Sequence, residues 1–377
     1  MDKLISFPTV SSESNLDLID WVEDYLDGHG VSATRVYNDD RTKANLYANA
    51  GPEVAGGVIL SGHTDVVPVE GQAWDTDPFV VTQKGDKLYG RGTCDMKGFD
   101  ALALSAVPLA LERGIKRPIQ IALSYDEEVG CVGAPFMIAE MRKHMAPASA
   151  AIIGEPSMMK AVSGHKGGYG WAIHMHGFEV HSSLMHTGVS AIMEGAKLIN
   201  WVNELNDEIR ARTPDAEAAA FVPPFTTAHT GMIKGGTAGN ITAKDCEFAI
   251  DFRLVPSDDI TEYRDRLLAK VAEIEAGMQA VVPETWIEVR DRFHVPGLRP
   301  EVGGEAERLA RQLTGDNGTH VVSYGTEAGQ FQEKDYSAII CGPGDIAQAH
   351  QPNEFISIDQ FQQGEAFIAK LVDHLAT

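Results

Sequence analysis

The chain has 377 residues, of which 44% are hydrophobic and 23% charged, and its formal net charge is −23. This length exceeds one typical core and predicts two domains, and the acidity disfavours nucleic acid and anionic membranes as partners. No apolar run approaches the roughly 18 residues of a membrane span. The first residues show no basic-then-apolar leader pattern. Four dispersed cysteines without a Cys-x-x-Cys argue against a disulfide framework or a thiolate zinc site, so a cytoplasmic protein is expected.

Apolar residues at helical spacing (Leu18, Ile19, Val22, Leu26) predict a surface helix over 14–28, stopped by Gly28 and Gly30. Strands follow at 35–37 and 45–49. Val58, Ile59 and Leu60 form a run suited to a strand buried on both faces, ending in His63 and Asp65. After a loop at 68–78, a helix is expected over 98–113, with Asp95 just before it. A buried strand at 119–124 runs into Asp126, Glu127 and Glu128, ahead of a helix at 134–143. Another buried strand, 150–153, ends in Gly154, Glu155 and Pro156.

From residue 167 the pattern changes. A half-buried strand at 171–175, a helix at 190–205, strands at 226–233 and 246–254, a helix at 259–275 and a strand at 286–292 follow one another. That β-α-β-β-α-β order is the ferredoxin-like split arrangement. The expected domains are 1–166 and 293–377, a catalytic α/β domain, with 167–292 inserted into it. The α/β pattern resumes with a helix at 303–313, strands at 320–323 and 338–341, a loop holding His350, and a closing helix at 358–375.

His63, Asp95, Glu127, Glu128, Glu155 and His350 are two imidazoles and four carboxylates, most of them just beyond buried strands. In α/β sheets that edge gathers ligands. Each residue also has a plainer reading: Asp95 as a helix N-cap, the Glu127–Glu128 pair as acids near a helix N-terminus, Glu155 as a solvated loop residue. Together they are nitrogen and oxygen donors suited to zinc, cobalt or manganese. Two metals sharing one carboxylate need five ligands, and the sixth residue can serve as general base. His174 and His176 share one strand face, read as an exposed polar face or as a further metal site. Cys94 reads as a buried filler or as a ligand or nucleophile. Neither Gly-x-Ser-x-Gly nor a Walker loop is present, so a serine hydrolase or NTPase lacks support.

The strings SGHTDVVPVEGQAW (61–74), LYGRGTCDMKGF (88–99), SYDEEVGC (124–131), IIGEPS (152–157), HSS (181–183), GGTAGN (235–240), DFR (251–253), YGTEAGQF (324–331) and CGPGDIAQAHQPNEF (341–355) span nearly the whole chain. In that order they resemble the dinuclear metallopeptidase family of aminoacylases, desuccinylases and acetylornithine deacetylases. The resemblance implies a mixed-sheet catalytic domain with an inserted lid that dimerises. It implies His63 and Glu155 on one metal, Glu128 and His350 on the other, and Asp95 bridging. Asp65 would hold His63 from behind, and Glu127 would be the general base. His181 would stabilise the oxyanion, often from a partner subunit. Asn240, Arg253, Thr326 and Glu327 would meet the substrate. The implied cofactor is two divalent ions, zinc above all, and the implied partner a small N-acyl amino acid. Met185, Ser190 and Ala243 depart from the family's usual Pro, Asn and Pro; none replaces an implied ligand. Within the family the metal-region strings look most like the acetylornithine deacetylase branch. That implies hydrolysis of N2-acetyl-L-ornithine; an aminoacylase or desuccinylase acting on another acyl amino acid is the alternative, and a non-catalytic binding protein a more distant one.

Overall fold

In the computed structural model, which describes residues 1–377, the apolar run becomes the strand Gly57–His63, buried along its whole length. It lies between two parallel neighbours, Ile119–Ser124 and Ala148–Pro156, and Ala338–Gly342 pairs in parallel beyond the latter. Four consecutive strands therefore end at one edge of the sheet. Antiparallel strands Ala44–Ala50 and Ala33–Tyr37 extend one side, and Val162–His165 and His320–Val322 the other, so the eight-stranded sheet is mixed.

Alternation along the strands directs the packing. Val58, Leu60, Ile119, Ile121, Leu123 and Ile152 share a core with helices Leu16–Gly28, Lys97–Arg113, Glu305–Thr314 and Ile358–Leu375. Helices Ala134–His144 and Ala328–Gln332 pack on other strands of the same sheet. A strand covered on both faces must be apolar at successive positions, which is why this run reads as continuous rather than alternating. A three-stranded sheet of Thr82–Lys84, Lys87–Tyr89 and Phe355–Ser357 was not foreseen; its strands are only three residues each and carry no readable period.

The chain divides into two compact units. Residues 166–297 with 322–325 form one, and the remainder forms the other, which holds the eight-stranded sheet. The second unit is an antiparallel sheet whose centre is Gly167–His176, flanked by Asp245–Leu254 and Trp286–Val295. One face is apolar: Trp171, Ile173, Met175, Phe248, Ile250 and Phe252 pack under helices Ala191–Ala211 and Ile260–Gln279. The first of these helices runs six residues past the expected end, because Ile209 continues the buried stripe of Leu198, Val202 and Leu205. The expected strand at 226–233 is broken. Thr227–His229 and Ile233–Gly235 pair separately with Asp245–Leu254, an interrupted edge strand of the kind that discourages further pairing. No helix is long and apolar enough to cross a membrane.

Gly154 lies where the strand Ala148–Pro156 meets the helix Lys97–Arg113. A Cβ there would sit 2.0 Å from the Phe99 ring. Gly154→Ala is expected to cost about 1–3 kcal/mol through overpacking, measured as a lower urea midpoint with an unchanged slope.

Candidate metal centre

At the common edge of the parallel strands, the side chains converge. Asp95 directs one oxygen to each imidazole: Oδ1 lies 3.1 Å from His63 Nε2, and Oδ2 lies 3.4 Å from His350 Nε2. Each imidazole has one further carboxylate. Glu155 Oε1 lies 3.8 Å from His63 Nε2, and Glu128 Oε2 lies 2.9 Å from His350 Nε2. Glu127 groups with His63 and Glu155, with candidate ligand atoms within 4.8 Å of one another. The plainer readings fail on geometry. The helix Lys97–Arg113 is capped at Met96 with no side-chain bond, so Asp95 is not its cap. Glu155 is a buried residue inside a strand, not a solvated one. Glu127 and Glu128 precede Ala134–His144 by a full turn and more, outside its first turn.

Backbone shape sets these directions. Asp126 has φ 58° and His350 φ 62°, left-handed conformations that turn a loop sharply. Asp126 is held by Lys43 at 2.5 Å. Asp65 meets His63 through its backbone. The atom nearest His63 Nδ1 is the Asp65 backbone carbonyl, at 2.9 Å, while the carboxylate is 3.6 Å away. The carboxylate instead accepts from the Ser11 hydroxyl at 2.6 Å and from the backbone N–H groups of Glu127 and Glu128 at 3.1 and 3.3 Å. It therefore holds the turn that carries two of the six residues. The carbonyl takes the Nδ1 proton, so Nε2 is the atom aimed at Asp95 and Glu155.

The electrostatics fit cations. Burial pushes Glu128 up to about 7, with Asp95 adding to the effect. Burial also pushes Glu127 and Glu155 well above the usual carboxylate range, and neighbouring carboxylates add to it. For Asp95, burial is outweighed by hydrogen bonds from His350 and His63, which lower it. His350 is raised to about 10 by its bonds to Asp95 and Glu128. Glu128 Oε1 and Glu155 Oε1 are buried without a hydrogen-bond partner. Crowded acids, unpartnered buried oxygens and two imidazoles form a donor set that divalent cations of the zinc class would satisfy.

Other expected residues are placed as follows. Thr326 and Glu327 are buried; the Thr326 hydroxyl accepts from the Ala328 N–H at 3.1 Å, and Glu327 accepts from the Ser124 hydroxyl. His181, Asn240 and Arg253 belong to the second unit. His181 is exposed, and its Nδ1 accepts from the Ser183 N–H at 3.2 Å, which leaves Nε2 as the proton-bearing nitrogen. The Asn240 carbonyl accepts from Ser182 N–H at 2.8 Å, and Arg253 pairs with Asp251 at 3.6 Å. Cys94 is buried, and burial pushes its thiol up, away from a ligand or nucleophile.

A buried frame that no motif announces surrounds Asp95. Glu354 Oε1 accepts from the backbone N–H groups of Gly92, Cys94 and Asp95 at 3.0, 2.9 and 3.1 Å. Its Oε2 takes a 2.6 Å bond from Arg91, which is buried as well and also donates to Gln72 at 2.7 Å. Gln72 in turn donates to the His350 carbonyl at 3.0 Å. The frame thus ties the loop of one histidine to the loop of the shared carboxylate. Gly92 has φ 85°, and a Cβ there would press within 3.0 Å of Val66, so only glycine suits the turn. The acid of the Pro-Asn-Glu string was the one available signal; nothing in the spacing links it to Arg91.

Residues 59–374 match the model of peptidase family M20/M25/M40. The chain is 33% identical to the acetylornithine deacetylase of Pasteurella multocida (strain Pm70), over 99% of this chain and 96% of that protein. It is 32% identical to the acetylornithine deacetylase of Myxococcus xanthus, again over 99% and 96%. Among solved structures it resembles the M20 family metallo-carboxypeptidase Sso-CP2 from Sulfolobus solfataricus. That match has a TM-score of 0.80 at 18% identity and covers 100% of this chain and 98% of that one, a likeness of fold.

Glu354→Ala leaves Arg91 and three backbone N–H groups without their buried acceptor. A loss of about 3–5 kcal/mol is expected, as for other broken buried pairs, together with weaker zinc binding. Chemical denaturation and a zinc competition titration measure the two effects. Unchanged values would remove the frame from the account.

Proposed function

This chain belongs to peptidase family M20/M25/M40, and from that premise we propose that it is a two-metal amide hydrolase that cleaves N2-acetyl-L-ornithine to L-ornithine and acetate, a step of arginine biosynthesis. The observation that carries the reading is the placement of Asp95, with one oxygen toward each imidazole and one further carboxylate beside each. That arrangement uses five residues and leaves Glu127 over. The substrate assignment is supported by the names of the two relatives.

His63, Asp95 and Glu155 would hold one cation, and His350, Asp95 and Glu128 the other. Bound divalent cations of this class polarise an amide carbonyl and lower the pKa of an attacking water. Glu127 takes the proton from that water and returns it to the leaving amine nitrogen. Its burial favours the protonated form and so equips it for the second transfer. Cys131 Sγ donates to Glu127 Oε1 at 3.2 Å and fixes the orientation of that carboxylate. Asp65 holds the backbone of the same turn. His181 is the proposed donor to the oxyanion, through the nitrogen that Ser183 leaves free. Asn240 and Arg253 are the proposed partners of the substrate's polar groups, with Thr326 and Glu327 bordering it. Zinc is the proposed metal, and a homodimer formed through the second unit is the proposed assembly.

Zinc- or cobalt-loaded protein assayed on N2-acetylornithine, acetylmethionine, acetylcitrulline and succinyl-diaminopimelate should prefer the first. Preference for another member keeps the chemistry and replaces the substrate. Glu127→Ala should lower kcat by roughly 10²–10⁴-fold with metal content intact. His181→Asn should lower kcat by about 10²–10³-fold, as when an oxyanion donor is removed, again without loss of metal; equal kcat would remove His181 from the reaction.

A further inference from the structure

The second unit presents a sheet face that no helix covers, and imidazoles are gathered on it. His174 and His176 alternate with the buried Ile173 and Met175, so both project from the open side. Register places Asp245 opposite His176 and Glu247 opposite His174 on one neighbouring strand, and Trp286 and Glu288 opposite the same pair on the other. His174 Nε2 lies 3.0 Å from Asp245 Oδ1, and His176 Nδ1 lies 3.7 Å from that same oxygen. The other nitrogen of His174, Nδ1, faces Glu247 Oε1 at 3.7 Å. The two imidazole centroids are only 3.7 Å apart, and the His176 ring stacks on Trp286 at 3.9 Å with an interplanar angle of 8°.

We propose that His174, His176 and Asp245 form a site for a zinc-class divalent cation on this sheet face. One ligand atom from each of the three lies within 4.8 Å of the others. Zinc bonds of 2.0–2.1 Å set donor separations of about 3.3 Å in a tetrahedral site. The 3.0 and 3.7 Å separations lie on either side of that figure, and the third pair lies within 4.8 Å. Donor chemistry points the same way: two imidazoles and a carboxylate without sulfur suit zinc, with nickel, cobalt and copper as competitors. Glu247 Oε1, 3.7 Å from His174 Nδ1, adds negative charge beside the site. Trp286 fixes the plane of the second ring.

A plain polar face accounts less well for these contacts. His176 Nε2 is buried without a hydrogen-bond partner, and only its Nδ1 faces a carboxylate. The bound ion would staple the strand Gly167–His176 to Asp245–Leu254. None of its residues belongs to the centre built on Asp95, so the site stands whether or not that reading holds.

The test is zinc stoichiometry of the full chain after dialysis against micromolar zinc, read by elemental mass spectrometry. Wild type should hold one more zinc per chain than the variant His174→Asn with His176→Asn, with hydrolase activity equal within twofold. Asp245→Asn keeps both rings and should weaken the extra site at least tenfold. Zinc should raise the melting temperature of wild type more than that of either variant. Equal stoichiometry in wild type and Asp245→Asn, both folded by circular dichroism, overturns the proposal, as does a double variant that loses no zinc.

Discussion

Four crowded carboxylates at the edge of a parallel sheet, two buried and two half-buried, are the constraint on everything around them. Taking ionised acids out of water is costly unless opposite charge and hydrogen bonds replace the solvent. Here Asp95, Glu127, Glu128 and Glu155 face two imidazoles, which do not balance them. The raised protonation ranges of three of them follow first from burial and then from that crowding. A fold that maintains such a cluster has to hold each acid by its backbone, since the side chains repel one another.

The surrounding structure meets that demand with further acids used as anchors. Asp65 grips the backbone of Glu127 and Glu128, and Glu354 grips that of Asp95. Both accept N–H bonds that the loops cannot satisfy by themselves. Arg91 neutralises Glu354, and Gln72 carries the connection on to the His350 loop. The ligand cluster and its frame are therefore one network, in which a change at a residue that touches no cation still alters the geometry of those that would.

The second unit follows a simpler logic. Its strands alternate, with an apolar face under two helices and a polar face in the open. The same alternation that builds its core brings His174, His176, Asp245 and Glu247 together on the other side.

Much of this was legible in the sequence because it rests on local periodicity. The buried run before His63, the strands before Glu127 and Glu155, and the closing helix are each set by residues within a few positions of one another. The six converging residues stood out because each follows a buried strand or opens a turn, and the motif order named the family. The interrupted edge strand and the three-stranded sheet were not legible, since short segments take their shape from the strand they pair with. The atom by which Asp65 meets His63 was not legible for a related reason: two residues of spacing cannot say whether a carbonyl or a carboxylate reaches the ring. What the sequence by itself determined was the layered α/β pattern, the inserted antiparallel unit and the list of residues that converge at the sheet edge. What only the tertiary structure decided was the pairing: Asp95 between two histidines, Glu354 with Arg91 from distant parts of the chain, and Asp245 beside His174. Those contacts join residues that no local period relates, and only the register of the sheets brings them within reach.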